Sequence, residues 1–205
     1  MPESRPLRAD ARRNRERILR TAEIVLARDG LSASMREIAR QADVGLATIY
    51  RQFPTKEALY EAIVVARVRA LVDEARGLAD SEEPGAAFFR FFTRVVEDAT
   101  HKKTLVDALT DAGVDVKAGM SGLSREMVAV IETLLTRAQQ AGRVRADVRM
   151  PELLALLSAA CLAAERGRWE EPLRTRTLSV MFDGLRGPSL GPAPGAAGGR
   201  RGPTP

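Results

Sequence analysis

The chain has 205 residues, of which 45% are hydrophobic, 29% charged and only 4% aromatic. Its single cysteine excludes an intramolecular disulfide, and its single histidine argues against a zinc site, so we expect no metal and no cofactor. No run of 18 apolar residues is present, and the Arg-rich N-terminus has no apolar stretch behind it. We therefore expect a cytoplasmic protein without a membrane span or a signal peptide.

The positive charge is concentrated at the N-terminal end of the chain. The net charge is +5, and residues 1–56 carry 12 Lys or Arg against 7 Asp or Glu, whereas residues 57–186 carry 18 against 20. A basic N-terminal region suits a surface that binds the phosphates of a nucleic acid. A merely Arg-rich soluble protein would show the same charge, so charge alone leaves both interpretations open.

Helix-breaking residues divide the middle of the chain into about nine segments that are rich in helix-forming residues and are predicted to be helices. Ala and Leu dominate the apolar residues, and no alternating run bounded by turn residues predicts a strand. Pro151 and Pro172 suit the first turns of the last two helices. The predicted segments are 11–29, 34–41, 45–52, 55–78, 86–100, 103–112, 124–141, 151–168 and 172–185. The sequence therefore predicts an all-α fold.

The two ends of the chain have a different composition. Residues 1–10 are polar and include Pro2 and Pro6, which predicts a disordered basic arm. Residues 187–205 hold 6 Gly and 5 Pro in 19 positions. Such a composition cannot bury apolar surface, so this segment is predicted to be a disordered Gly/Pro tail.

Residues 34–53, SMREIARQADVGLATIYRQF, predict a helix-turn-helix. Ser34 and Glu37 have the spacing of a capping box at the start of the first short helix. Asp43 occupies the turn, where a left-handed conformation is needed that Asp tolerates better than most residues. The apolar or small positions that hold the two helices together are Ile38, Ala39, Val44 and Ile49. A unit of this kind holds its second helix so that it can enter the major groove.

The second short helix and the start of the next carry side chains suited to DNA. Hydroxyl, phenol and guanidinium groups match phosphate oxygens and base edges, and Ala or Leu can contact a thymine methyl. A lysine at a helix N-terminus favours phosphate. The predicted DNA-binding residues are Arg36, Leu46, Ala47, Thr48, Tyr50, Arg51, Thr55 and Lys56. The alternatives are that Arg51 is an ordinary solvated arginine and that Tyr50, like Phe53, belongs to the core.

Residues 12–63 resemble the DNA-binding domain of the TetR family of bacterial regulators. The most specific match is the run Tyr-x-x-Phe-x-x-Lys-Glu-x-Leu, which begins at Tyr50. The matching residues are Ile18, Leu19, Ala22, Gly30, Ile38, Ala39, Val44, Tyr50, Phe53, Lys56, Glu57 and Leu59. Asp43, Gly45 and Ala47 depart from the residues frequent in the family. The resemblance implies a DNA-binding domain over 11–54 and a ligand-binding and dimerisation domain over 55–186.

Site residues in the body follow from the resemblance. A ligand pocket is expected at Phe88, Phe92, Leu105, Leu109, Met127 and Trp169. The last two helices are expected to form a four-helix dimer interface through Leu153, Leu157, Ala160, Leu178, Met181 and Phe182. The alternatives are that the phenylalanines pack on the fourth helix or mark an interface, and that the last two helices are buried within one subunit.

The predicted function is that of a sequence-specific transcriptional regulator. We expect a homodimer that binds a two-fold operator in duplex DNA and a repressor that a small-molecule effector releases. No phosphate-cradling loop, nucleophile elbow or metal-ligand spacing is present, so we expect no enzymatic activity. The alternative is a helical partner-binding protein that uses the helix-turn-helix for protein contacts, which salt-dependent duplex binding would distinguish.

Overall fold

A computed structural model describes residues 4–112 and 121–186 of the chain. These ranges form eight α-helices and one 3-10 turn, without a strand. In chain order they are α1 Ser4–Asp29, η1 Gly30–Ser32, α2 Met35–Gln41, α3 Leu46–Gln52, α4 Lys56–Ser81, α5 Pro84–Asp111, α6 Ser121–Gln140, α7 Met150–Gly167 and α8 Glu171–Leu185. The predicted all-α class, with an N-terminal helix-turn-helix on a helical body, is confirmed.

Proline opens three of the helices of the body. Pro84, Pro151 and Pro172 each lie at one of the first two positions of their helix, where the backbone N–H has no partner within the helix. Glu83 caps α5, because its side chain accepts a hydrogen bond of 2.9 Å from the backbone N–H of Ala86. Pro151 and Pro172 therefore have the positions that the sequence predicted.

Two predicted boundaries are corrected. Helix α1 already begins at Ser4, so residues 4–10 of the predicted disordered arm are helical. Pro6 fits there because it lies in the first turn, and the residues after it are mostly good helix formers. The predicted fifth and sixth helices are one continuous helix, α5, because the residues between them include no Gly or Pro to end it. Residues 1–3 and the predicted tail, 187–205, lie outside the described ranges.

Helix α5 is the centre of the body. It packs against α4, α6 and α7, and α6 also packs against α4. Phe88, Phe91 and Phe92 are each 3% exposed on α5, and the ring of Phe182 from α8 lies 5.4 Å from that of Phe92. The hydrophobic core continues from the body into the DNA-binding end, where α1, α2 and α3 contribute Ile18, Ala22, Val25, Ile38, Ala39 and Ile49. Among the described helices, none is long and apolar enough to cross a membrane.

Candidate nucleic-acid interface

Helix α2 starts at a side-chain cap. The Ser34 hydroxyl accepts a hydrogen bond of 3.1 Å from the backbone N–H of Glu37, as the capping-box spacing predicted. The Glu37 carboxylate, however, does not complete the box. It accepts hydrogen bonds from Arg40 at 2.6 Å and Gln41 at 2.7 Å, and the first of these does most to lower the pKa of Glu37 to about 2. This polar cluster supports the first helix of the motif on its solvent side.

The turn between α2 and α3 depends on one left-handed residue. Asp43 has a φ of 51°, so the predicted conformation is confirmed at this position. The turn closes through the Val44 N–H, which donates to the Ala39 carbonyl at 3.0 Å. Arg17 of α1 also donates to the Asp43 carbonyl, at 3.4 Å. No local pattern predicts a role for Arg17, because it lies 26 positions from Asp43 along the chain.

Buried side chains fix the orientation of α3. Ile49 is fully buried, and Phe53 at the end of the helix is 1% exposed. The Arg15 guanidinium of α1 lies 4.5 Å from the centre of the Phe53 ring, in the range of a cation–π contact. Phe53 is therefore a core residue. Because Ile49 and Phe53 are one helical turn apart, they leave the opposite face of α3 open.

The open face of α3 carries the residues that the sequence assigned to DNA. Ala47 and Arg51 are exposed, and they share a face because they are four positions apart. Tyr50 is 47% exposed, Thr48 is half-buried, and Leu46 is half-buried against the domain core. The exposed side chains thus form a strip of one small, one aromatic and one cationic residue. Arg36 is exposed on the neighbouring helix α2.

Thr55 and Lys56 have structural partners at the start of α4. The Thr55 hydroxyl caps the helix by accepting from the Ala58 N–H at 3.1 Å. The Lys56 ammonium donates to the Leu31 carbonyl at 2.6 Å, and the Tyr60 hydroxyl donates to the same oxygen at 3.4 Å. These contacts hold the start of α4 against η1. Any phosphate contact by Lys56 would come from the donors that remain on its ammonium group.

The residues expected at a ligand pocket belong to a packed core. Phe88, Phe92, Leu105 and Leu109 are buried, and Met127 and Trp169 are half-buried. Only Phe88 and Phe92 among them line the apolar space between α5, α6 and α7. That space measures about 10 Å³, which is on the order of one probe sphere and too small for an organic ligand.

The residues expected at a dimer interface point into their own subunit. Leu153, Leu157 and Ala160 follow the helical spacing of the face of α7 that meets α5, and they are 1%, 8% and 3% exposed. On α8, Leu178 and Phe182 are likewise buried, and Met181 is half-buried. The sequence could not choose the face because α7 is apolar on both. The large apolar residues exposed on the two helices are instead Leu156, Leu162, Leu173 and Val180.

Comparisons with known proteins cover both parts of this structure. A family model of bacterial regulatory proteins of the tetR family matches residues 18–63. A model of the C-terminal domain of SbtR-like transcriptional regulators matches residues 83–187. The first match contains α2, α3 and the start of α4, and the second contains all of α5 to α8. The DNA-binding end and the body therefore each match a family model of regulatory proteins.

Individual relatives agree with the family models. The crystal structure of a TetR transcription regulatory protein from Mycobacterium vanbaalenii is 43% identical, with a TM-score of 0.74 over 88% of this chain and 99% of that one. The TetR regulator SCO0520 from Streptomyces coelicolor is 32% identical, with a TM-score of 0.69 over 84% and 98%. The HTH-type regulator UidR of Escherichia coli K12 is 28% identical over 69% of this chain and 74% of its own. The chain therefore belongs to the TetR family and is a DNA-binding transcriptional regulator.

Proposed function

We propose that the protein is a repressor that binds a two-fold operator as a homodimer, with α3 in the major groove, and that a small-molecule effector releases it. This proposal rests on the exposed strip of α3, which consists of Ala47, Tyr50 and Arg51. Ile49 and Phe53 are buried and hold the helix in place. A rigid helix with an open polar face is what groove recognition needs.

The side chains of this strip suggest a division of roles. Arg51 has the reach and the paired donors to read a guanine edge, and Ala47 leaves room for a thymine methyl beside it. Tyr50, Thr48 and Arg36 suit phosphate oxygens, which position the helix without reading sequence. Lys56 and Thr55 act mainly on the domain itself through Leu31 and Ala58.

A selection experiment tests this proposal. The purified protein is used to enrich duplexes from a random-sequence library, and we expect a two-fold symmetric motif to emerge. Arg51→Ala should then weaken binding to that motif by about 5–150-fold, which corresponds to about 1–3 kcal/mol, and leave binding to unselected duplex nearly unchanged. Arg125→Ala is the matched control, because Arg125 is an exposed arginine on α6 in the body.

Two results would contradict the proposed reading of DNA. If Arg51→Ala weakens binding to the selected motif and to unselected duplex equally, Arg51 contacts a phosphate rather than a base edge. Failure to enrich any motif, together with an affinity for duplex that does not fall with salt, would favour the alternative in which the helix-turn-helix contacts a protein.

A dimer surface is proposed on the outward face of α7 and α8. Leu156 and Leu162 are 38% and 47% exposed on α7, and Leu173 and Val180 are 53% and 59% exposed on α8. Pairing this face with a second copy would cover apolar surface that one subunit leaves in water. Leu162→Glu should therefore give monomers in analytical ultracentrifugation, whereas Val128→Glu, at a residue 41% exposed on α6, should leave the oligomeric state unchanged.

The proposed effector site requires movement of the aromatic core. The space beside Phe88 and Phe92 holds about 10 Å³ in this packing, so an organic effector enters only if these rings change rotamer. A ligand that binds only the opened arrangement shifts the protein toward it by its differential affinity. Helix α4 connects this core to the DNA-binding end, because Lys56 starts it and Leu71 and Val72 are buried farther along it.

A further inference from the structure

A cleft lined by six charged and three apolar side chains lies where the DNA-binding end meets the body. It has a volume of about 360 Å³, at the lower end of the range of about 300–1,000 Å³ for small-molecule sites. Helices α1, α4 and α5 each contribute to its walls, and its apolar lining is Leu19, Ala66 and Ala70. A molecule bound here would contact the first helix of the DNA-binding domain and two helices of the body.

Two guanidinium groups in this cleft are each anchored by a carboxylate. The Arg67 Nε lies 3.2 Å from the Asp98 carboxylate, whose side chain is 4% exposed. The Arg94 Nε lies 3.2 Å from the Glu74 carboxylate. In the described parts of the chain, the terminal nitrogens of these two arginines make no hydrogen bond. Both side chains are therefore anchored through Nε and retain paired donors that match a carboxylate.

The cleft also contains an unpaired carboxyl group. Glu23 of α1 is half-buried, and no cation lies within ion-pair distance of it in the described parts of the chain. Burial raises the pKa of Glu23, and the Asp98 charge adds to this rise while Arg67 opposes it. Partial burial removes some of the hydration of this carboxylate, and a cationic donor placed beside it would offset that loss.

The charges of the cleft select the class of ligand. Arg20, Arg67 and Arg94 are matched in number by the three carboxyl groups of the lining, which are Glu16, Glu23 and Asp98. The cleft therefore has no net charge with which to retain a simple anion or cation. It instead offers the Glu23 carboxyl group as an acceptor and the terminal nitrogens of Arg67 and Arg94 as donors.

We propose that this cleft binds a small amphoteric molecule, with an ammonium group on Glu23 and a carboxylate on the guanidinium groups. Leu19, Ala66 and Ala70 contact the carbon chain between the two charges. Such a ligand joins α1 to α4 and α5, and so it favours one orientation of the DNA-binding end relative to the body. The binding itself does not rest on the proposed repressor function.

Calorimetric titration of the full chain tests this site without DNA. The probes are glycine, β-alanine, γ-aminobutyrate and 6-aminohexanoate, which separate an ammonium from a carboxylate by increasing lengths. Butylamine and butyrate each carry one of the two charges. We expect saturable binding of at least one amphoteric probe, and binding at least tenfold weaker for both single-charge compounds, because each loses one charge-assisted contact.

The Glu23→Gln variant tests whether Glu23 accepts the ammonium group of the ligand. It should weaken binding of the preferred probe at least tenfold, while Glu132→Gln, at an exposed glutamate of α6, should change it less than twofold. Thermal unfolding of both variants checks that they fold. No saturable heat from any of the four probes, unchanged binding by Glu23→Gln, or equal binding of butylamine or butyrate would each overturn the proposal. None of these results bears on whether α3 binds DNA, so the two proposals fail separately.

Discussion

The ion pair between Arg67 and Asp98 should be the most sensitive polar contact in the body. The Asp98 side chain is 4% exposed and that of Arg67 is 22% exposed, so replacing either partner leaves the other charge largely removed from water. Removing one partner of a buried pair costs about 3–5 kcal/mol. Because Arg67 keeps some contact with solvent, we expect Asp98→Asn to lower the free energy of unfolding by about 2–4 kcal/mol.

Urea denaturation of a double-mutant cycle measures this contact. The double variant Arg67→Met with Asp98→Asn removes both charges and changes the side-chain volumes little, so it should be destabilised by about 2 kcal/mol or less relative to the wild type. The two single variants and the double variant would then give a coupling energy of about 2 kcal/mol or more. A loss below about 0.5 kcal/mol for Asp98→Asn, or additive single effects, would refute the reasoning, because the pair would then behave as a solvent-exposed one.

Three further predictions concern the core, the turn and the cap. Phe92→Ala should lower the free energy of unfolding by about 3–5 kcal/mol in urea denaturation, because the ring is 3% exposed and packs on Phe182. A loss below about 1 kcal/mol would contradict this packing. Asp43→Val should cost about 1–2 kcal/mol in the same assay because the residue has a φ of 51°, whereas Asp43→Gly should stay within about 1 kcal/mol of the wild type. The pKa of Glu37 is lowered to about 2, so its contacts stabilise the fold above the ordinary pKa of 4.5 and are lost as pH falls toward 2. Wild type and Glu37→Gln should therefore differ in melting temperature at pH 6 and converge near pH 2, and a constant difference would rule out this role for the carboxylate.

Local signals were enough to predict the DNA-binding end. The helix-turn-helix follows from short-range rules, since Asp43 had to tolerate a left-handed turn and Ser34 had to cap the helix three residues before Glu37. Phe53 could be placed in the core from its spacing to Ile49. The Ser34 cap and the hydrogen bond that closes the turn each join residues only a few positions apart along the chain.

The rest depended on contacts between distant helices. Helix α7 is apolar on two faces, so periodicity could not say whether Leu157 or Leu162 points inward. Arg67 and Asp98 are 31 positions apart, and their pairing depends on how α4 lies against α5. Lys56 fits the pattern of a phosphate site by residue type and position, but its contact with the Leu31 carbonyl depends on how α4 packs against η1. Residue type and spacing left these outcomes open because each is decided by packing.

The length of α4 has a mechanical consequence for the proposed dimer. Its 26 residues form one helix from Lys56 to Ser81, about 39 Å long at 1.5 Å per residue. A tilt of about 5° about its far end would move its first turn by about 3 Å, since displacement grows with the length of a rigid arm. Two such arms moving apart would change the distance between the α3 helices by about 6 Å, whereas half-sites on DNA repeat at about 34–36 Å. In the proposed dimer, a tilt of this size would move both α3 helices away from the half-site spacing.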